Sequence, residues 1–133
     1  MDLILDTSAL IAAERGAIDL GTLLRDRPGA GIAVAAITIG ELLFGVERAP
    51  TPAIAMRRAA YVDWLCETVP VLPFGVADAR RYASIRAHLA RAGRMIGAHD
   101  LEIAATAVAR GYGVVTRDQR DFRRVPGLEV ITL

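Results

Sequence analysis
The chain has 133 residues, of which 53% are apolar and 23% charged, and its formal net charge is +1. That balance excludes disorder and collagen-like chains, and leaves enough apolar side chains for one buried core. All 16 basic residues are arginines, so P-loop nucleotide binding and Schiff-base catalysis, which need a lysine, are excluded as well. Codon bias toward arginine suffices to explain the missing lysine, and its chemical consequences hold whatever the cause.

In chain order, Leu3-Ile4-Leu5 reads as a short buried strand ending at Asp6. Residues 7–14 and 18–26 read as helices, interrupted at Gly16 and stopped by Pro28-Gly29. Residues 32–36 form an apolar strand-like run, and a helix is expected from about Thr38 to Arg48. After Pro50 and Pro52, a longer helix over about 53–67 turns Ile54, Tyr61, Val62 and Leu65 inward. Residues 69–72 are strand-like, and a helix follows over 76–92, with Tyr82, Ile85 and Leu89 opposite Arg81, Ser84, His88 and Arg91. Gly93 and Gly97 bracket a loop, and Leu101, Ala104, Ala105 and Val108 then recur at helical spacing until Gly111. Residues 114–116 and 128–132 read as the last strands. Alternating strands and crossover-length helices predict one α/β domain over 1–133, with three layers: a mostly parallel central sheet and helices on both faces.

No apolar run reaches the length of a membrane span, no basic-then-apolar leader opens the chain, and the lone Cys66 cannot form an internal disulfide. The expectation is a cytoplasmic protein without a membrane association.

Ligands of parallel sheets bind beyond the carboxyl ends of the strands. The residues at those points are acids. Asp6 follows the first strand, Glu41 lies early in the helix after the second, Asp100 opens the helix before the fourth, and Asp118 and Asp121 follow the fourth. Each has an ordinary structural role open to it. Asp6 suits an N-cap, Thr38-Ile39-Gly40-Glu41 fits a capping box, Asp100 suits a first helical turn, and Asp118 and Asp121 suit a turn. Gathered at one sheet edge, however, they would repel one another and resist ionising unless a cation relieved them. With oxygen the main donor available, that cation is hard, Mg²⁺ or Mn²⁺ rather than zinc. His99 beside Asp100 is read as a surface or capping residue.

Setting those five acids aside leaves ten acids against sixteen arginines, a remainder of +6. Residues 57–124 hold twelve of the arginines. A basic exterior around an acidic pocket suits a polyanion, and Arg94, Arg117 and Arg120 are the candidates for phosphate contact at the pocket mouth. Solvated loop arginines are the plain alternative.

The ordered set Asp6-Thr7-Ser8-Ala9-Leu10, Glu41-Leu42-Leu43-Phe44-Gly45, Asp100 with Ile103-Ala104-Ala105-Thr106-Ala107, and Thr116-Arg117-Asp118-Gln119-Arg120-Asp121-Phe122 resembles the PIN-domain ribonucleases, and within them the VapC toxins of VapBC toxin–antitoxin pairs. The resemblance implies Mg²⁺- or Mn²⁺-dependent endonucleolytic cleavage of RNA, with Asp6, Glu41, Asp100 and one late Asp as the acidic pocket. Asp6 and Asp100 are the expected metal ligands, with Glu41 placed toward a second ion or a water. Many relatives carry Asn where Asp118 stands and Asp at the position of Asp121. Here both are acids, and Asp118 is favoured because it lies closer to the strand end. Thr7, Ser8 and Thr116 are expected to orient ligands or to cap locally.

The implied chemistry is in-line attack of water on phosphorus, leaving a 5′-phosphate and a 3′-hydroxyl. The implied partners are a VapB-type antitoxin, tRNA or rRNA as substrate, and a second copy in a homodimer. The antitoxin would lay a helix on apolar residues such as Leu10, Ile11, Leu42, Phe44 and Val46. Two other Mg²⁺-dependent folds fit poorly. A receiver domain needs paired acids at the first strand and a late lysine; a haloacid-dehalogenase-like phosphatase needs Asp where Ser8 stands, and a lysine. The remaining alternative is a non-catalytic PIN-like module that binds RNA or protein. Its signature would be loss of a pocket acid, and none is lost.

Overall fold
A computed structural model describes residues 1–133. The strands are β1 (Leu3–Leu5), β2 (Ile32–Ala35), β3 (Val71–Leu72), β4 (Gly113–Thr116) and β5 (Val130–Thr132). Between them run α1 (Thr7–Glu14), α2 (Leu20–Arg25), α3 (Ala36–Glu47), α4 (Pro52–Thr68), α5 (Val76–Ala92), α6 (Ala98–Arg110) and α7 (Gln119–Phe122). The five strands form one parallel sheet in the order β3-β2-β1-β4-β5. Chain order moves outward from β1 through β2 to β3, then resumes on the other side at β4. The reversal therefore lies between β1 and β4, where Leu5 sits opposite Val115. A crevice opens outside the carboxyl ends of two strands at such a reversal.

Side-chain alternation along the strands builds two cores. Leu3, Leu5, Val34 and Val115 face α1–α4, meeting Leu10, Leu23, Leu42, Val62 and Leu65. Ile4 and Val114 face α5–α7, meeting Ile85, Leu89, Leu101, Ile103 and Phe122. Central strands buried on both faces account for the uninterrupted apolar runs in the sequence. Gly93 at φ +66° and Gly111 at φ +71° close α5 and α6 in the left-handed conformation, where an L side chain would be strained.

β5 begins at Val130 rather than Leu128, and four further local expectations change. α2 starts at Leu20 rather than Ile18, because the Asp19 carboxylate accepts from the Gly21 N–H at 2.9 Å and caps the helix there. β3 is only two residues long, since Val69 is still the extended C-cap of α4 and Pro70 has no N–H to donate. A one-turn helix, α7, replaces the expected turn around Asp118 and Asp121. The Thr38–Glu41 capping box does not form: α3 begins earlier, at Ala36, and Thr38 is buried inside it. Glu41 is thereby released from capping and directed toward α1.

Candidate active site
The side chain that closes β1 is also the one that opens α1. Asp6 is 4% exposed; its Oδ1 accepts from the Ala9 N–H at 2.9 Å and the Ser8 hydroxyl at 2.8 Å. Its Oδ2 accepts from the Thr116 hydroxyl at 2.6 Å. Each of these hydroxyls also accepts from the β4–α7 turn, Thr116 from the Asp118 N–H at 2.9 Å and Ser8 from the Arg117 N–H at 3.1 Å. Capping and site-building are thus the same set of bonds, and Asp6 is oriented from both sides of the crevice. Burial pushes the Asp6 carboxyl above its ordinary 3.8; the bonds from Thr116, Ala9 and Ser8 draw it down, and the charge of Asp118 adds to the rise.

Glu41 is held from two elements. Its Oε1 accepts from the Thr7 hydroxyl at 2.8 Å, with Thr38 Oγ1 a further 3.4 Å away from Thr7, and its Oε2 lies 3.2 Å from His99 Nδ1. His99, expected as a surface or capping residue, is exposed but also meets Glu41, a contact that its adjacency to Asp100 alone hints at in the sequence. Asp100, in the first turn of α6, is half-buried and hydrogen-bonded to Asp121. Its carboxyl is raised to about 7, first by burial, then by that hydrogen bond, then by the charges of Asp121, Asp6 and Glu41. Asp121 Oδ2 also accepts from the Gly97 N–H at 3.2 Å, which ties α7 to the start of α6.

At the β1/β4 crevice the charges of Asp121, Asp6 and Glu41 therefore reach Asp100, and that of Asp118 reaches Asp6. The two late acids take different contacts. The Asp118 carboxylate caps α7, accepting from the Arg120 N–H at 3.3 Å, whereas Asp121 meets Asp100. The one-turn helix makes the difference, turning residue 121 back over α6. Thr7, Ser8 and Thr116 all contact the acids. Arg94, Arg117 and Arg120 are exposed, and only the backbones of the last two join the network.

The carboxylates are satisfied in separate pairs and networks, and no three His, Cys, Asp or Glu side chains close on one point at ligand distance. The donor set nonetheless fits a hard divalent cation: it is dominated by oxygen, carries excess negative charge, and raises the affinity of Asp100 for a proton. A cation would take the place of that proton, through Asp6, Asp100 and Asp121, with Glu41 at the edge.

The raised carboxyl has a direct thermodynamic sign. The folded chain binds the Asp100 proton more tightly than the unfolded chain, so this group's stabilisation is full below pH 3.8 and is lost as pH rises through about 7. In metal-free protein, Asp100→Asn is expected to flatten the fall in Tm between about pH 5 and about pH 8. Thermal melts in a chelator across that range check this, and equal slopes for variant and wild type would contradict it.

Residues 3–128 match the PIN domain family. The chain is 37% identical over 133 residues to ribonuclease VapC1 of Rickettsia felis, an alignment covering 100% of this chain and 97% of that protein. It is 37% identical over 95 residues to the tRNA(fMet)-specific endonuclease VapC of Shigella flexneri, covering 71% of this chain and 70% of that one. The crystal structure of DNA-bound VapBC from Salmonella typhimurium superposes with a TM-score of 0.86 at 30% identity, covering 98% of this chain and 96% of that chain. The chain belongs to the PIN-domain family, among the VapC ribonucleases.

Proposed function
We propose that this protein is a divalent-metal-dependent endoribonuclease, the toxin of a VapBC pair, held inactive by a VapB-type antitoxin. The observation that carries the reading is the gathering of Asp6, Glu41 and Asp121 around Asp100 at the β1/β4 crevice, where their charges add to burial in raising the Asp100 carboxyl to about 7. Whole-length similarity to a named VapC ribonuclease supports RNA as the substrate. The ion is Mg²⁺, with Mn²⁺ as a substitute, since carboxylate oxygens prefer hard cations.

A bound divalent cation supplies Lewis acidity toward the phosphoryl oxygens and a lowered pKa for water. The chain's own residues do the remaining work. Asp6, fixed by Ser8 and Thr116, and Asp100 with Asp121 hold the ion. Glu41, oriented by Thr7 and His99, accepts a proton from the attacking water. The exposed guanidinium groups of Arg94, Arg117 and Arg120 bind flanking phosphates. Because the nucleophile is water and not a ribose 2′-hydroxyl, the products are a 5′-phosphate and a 3′-hydroxyl. Incubating purified protein with RNA and Mg²⁺, then mapping the product ends, tests this directly. Cleavage that persists in a chelator, or ends bearing a 2′,3′-cyclic phosphate, would sink it.

The two late acids are separable. Asp121→Asn is expected to lower the cleavage rate roughly 100-fold, because Asp121 serves the ion, whereas Asp118→Asn should cost less than about tenfold, because Asn caps a helix as well as Asp does. The opposite ranking in single-turnover assays would return the role to Asp118.

The antitoxin seat that fits best is an apolar groove of about 480 Å³ between α1, α2 and α4, lined by Leu10, Ile18, Leu20, Leu24, Tyr61 and Trp64 among others. Trp64 is 54% exposed and stacks on Tyr61 at 5.8 Å, offering an aromatic wall to an apolar helix face. Of the seat residues expected from sequence, only Leu10 lines this groove; Leu42 is core, and Phe44 lies 60% exposed on α3. No helix is long and apolar enough to cross a membrane. Structured tRNA or rRNA as the target, a homodimer and a cytoplasmic site of action complete the proposal, on the family resemblance alone.

A further inference from the structure
Beside the acid site, two polar depressions run into one another. The first, about 190 Å³, is walled by Glu41, Arg15, Arg58 and Glu14 over a floor that includes Ile11, Leu42 and Tyr61. The second, about 310 Å³, is walled entirely by Glu14, Arg15, Arg57 and Arg58. Glu14, Arg15 and Arg58 are common to both, so a single trough leads from a carboxylate of the site, between α1, α3 and α4, to three arginines. Arg58 Nη1 donates to the Gly45 carbonyl at 2.8 Å, which anchors one guanidinium in the wall. None of the three arginines takes part in the chain's ion pairs, and Glu14 is the only acid at their end of the trough.

We propose that this trough is an RNA-backbone track, with Arg15, Arg57 and Arg58 holding the phosphates of the strand as it leaves the acid site. The assignment rests on the ribonuclease reading above and adds helix-borne arginines of α1 and α4 to the loop arginines Arg94, Arg117 and Arg120. Three guanidinium groups sharing one depression with a single carboxylate repel one another, and a polyanion relieves that repulsion. The planar fork of donors on arginine matches phosphate oxygens two at a time. The continuity with Glu41 makes this a substrate track rather than an isolated basic patch.

The test uses a short fluorescent single-stranded oligoribonucleotide of mixed sequence, titrated over a salt series. The binding protein is the full chain carrying Asp6→Asn, expected to stay folded and to cut about a thousandfold more slowly, with wild type in a chelator as a parallel measurement. Adding Arg15→Gln and Arg57→Gln is expected to weaken binding roughly tenfold at low salt and to reduce the slope of log K against log [salt] by about 1.4, or 0.7 per lost contact. The matched control adds Arg80→Gln and Arg81→Gln, which line a separate depression with Ala109 at the far end of α6 from Asp100. The control should leave the slope unchanged. The track is overturned if the Arg15/Arg57 substitutions leave the slope intact, if the control lowers it equally, or if the oligoribonucleotide does not bind. A slope change in binding with no Mg²⁺-dependent cleavage by wild type would instead retain the track and remove the nuclease reading.

Discussion

Asp6→Asn is expected to lower Mg²⁺-dependent RNA cleavage by about three orders of magnitude, or about 4 kcal/mol of transition-state stabilisation, while leaving a folded protein. The loss is large because Asp6 is the one acid fixed from both strands of the crevice, through Ser8 and Ala9 on its own side and Thr116 on the other. The fold survives because burial already disfavours the ionised carboxyl, whose pKa is raised, so a neutral isostere removes a desolvation cost. Two readouts belong together: the single-turnover cleavage rate, and the rise in Tm on adding Mg²⁺. Both should fall in the variant. A rate within tenfold of wild type would contradict the role of Asp6. Mg²⁺ stabilisation that requires Asp6, in a wild type that cuts no RNA, would point to the non-catalytic module.

Arg110→Ala is expected to produce the largest loss of stability, about 3–5 kcal/mol, because it leaves Asp78 as an unpaired buried charge. Asp78 is 2% exposed; it caps α5 by accepting from the Gly75 N–H at 2.7 Å and is paired with Arg110 at the end of α6. Arg110 also donates to the Thr106 carbonyl at 3.2 Å and the Pro73 carbonyl at 3.1 Å, so it ties α6 to the segment between β3 and α5. Removing both charges together, with Asp78→Asn and Arg110→Met, should cost less than Arg110→Ala alone. Urea unfolding measures both, and a loss under about 1 kcal/mol for Arg110→Ala would show that the pair is dispensable. Because α6 separates this pair from Asp100, Mg²⁺ affinity of the folded protein should not change.

Much of the fold was readable because its signals are local and periodic. Apolar runs of strand length, helical spacing in α5 and α6, and terminating glycines at 93 and 111 need no tertiary knowledge. The acids at strand ends were readable for a different reason, since a parallel sheet brings those ends to one edge whatever the loops do. Other features depended on pairs distant in sequence. Asp78 and Arg110 are 32 residues apart, and nothing near either announces the other. The contact of His99 with Glu41 and the arginine trough from α1 to α4 likewise exist only after the helices pack. Thr38–Glu41 misled because a capping-box pattern also occurs inside a helix that has already begun. The different contacts of Asp118 and Asp121 depend on one helical turn, α7, too short to show a period.

In the proposed function, carboxylates at the β1/β4 crevice cut RNA. The most direct measurement is sequencing of RNA 5′ ends after a brief pulse of expression, with Asp6→Ala as the control. New 5′-phosphate ends at defined positions, present with wild type and missing with Asp6→Ala, are the predicted result. The same set of ends from both proteins would contradict it.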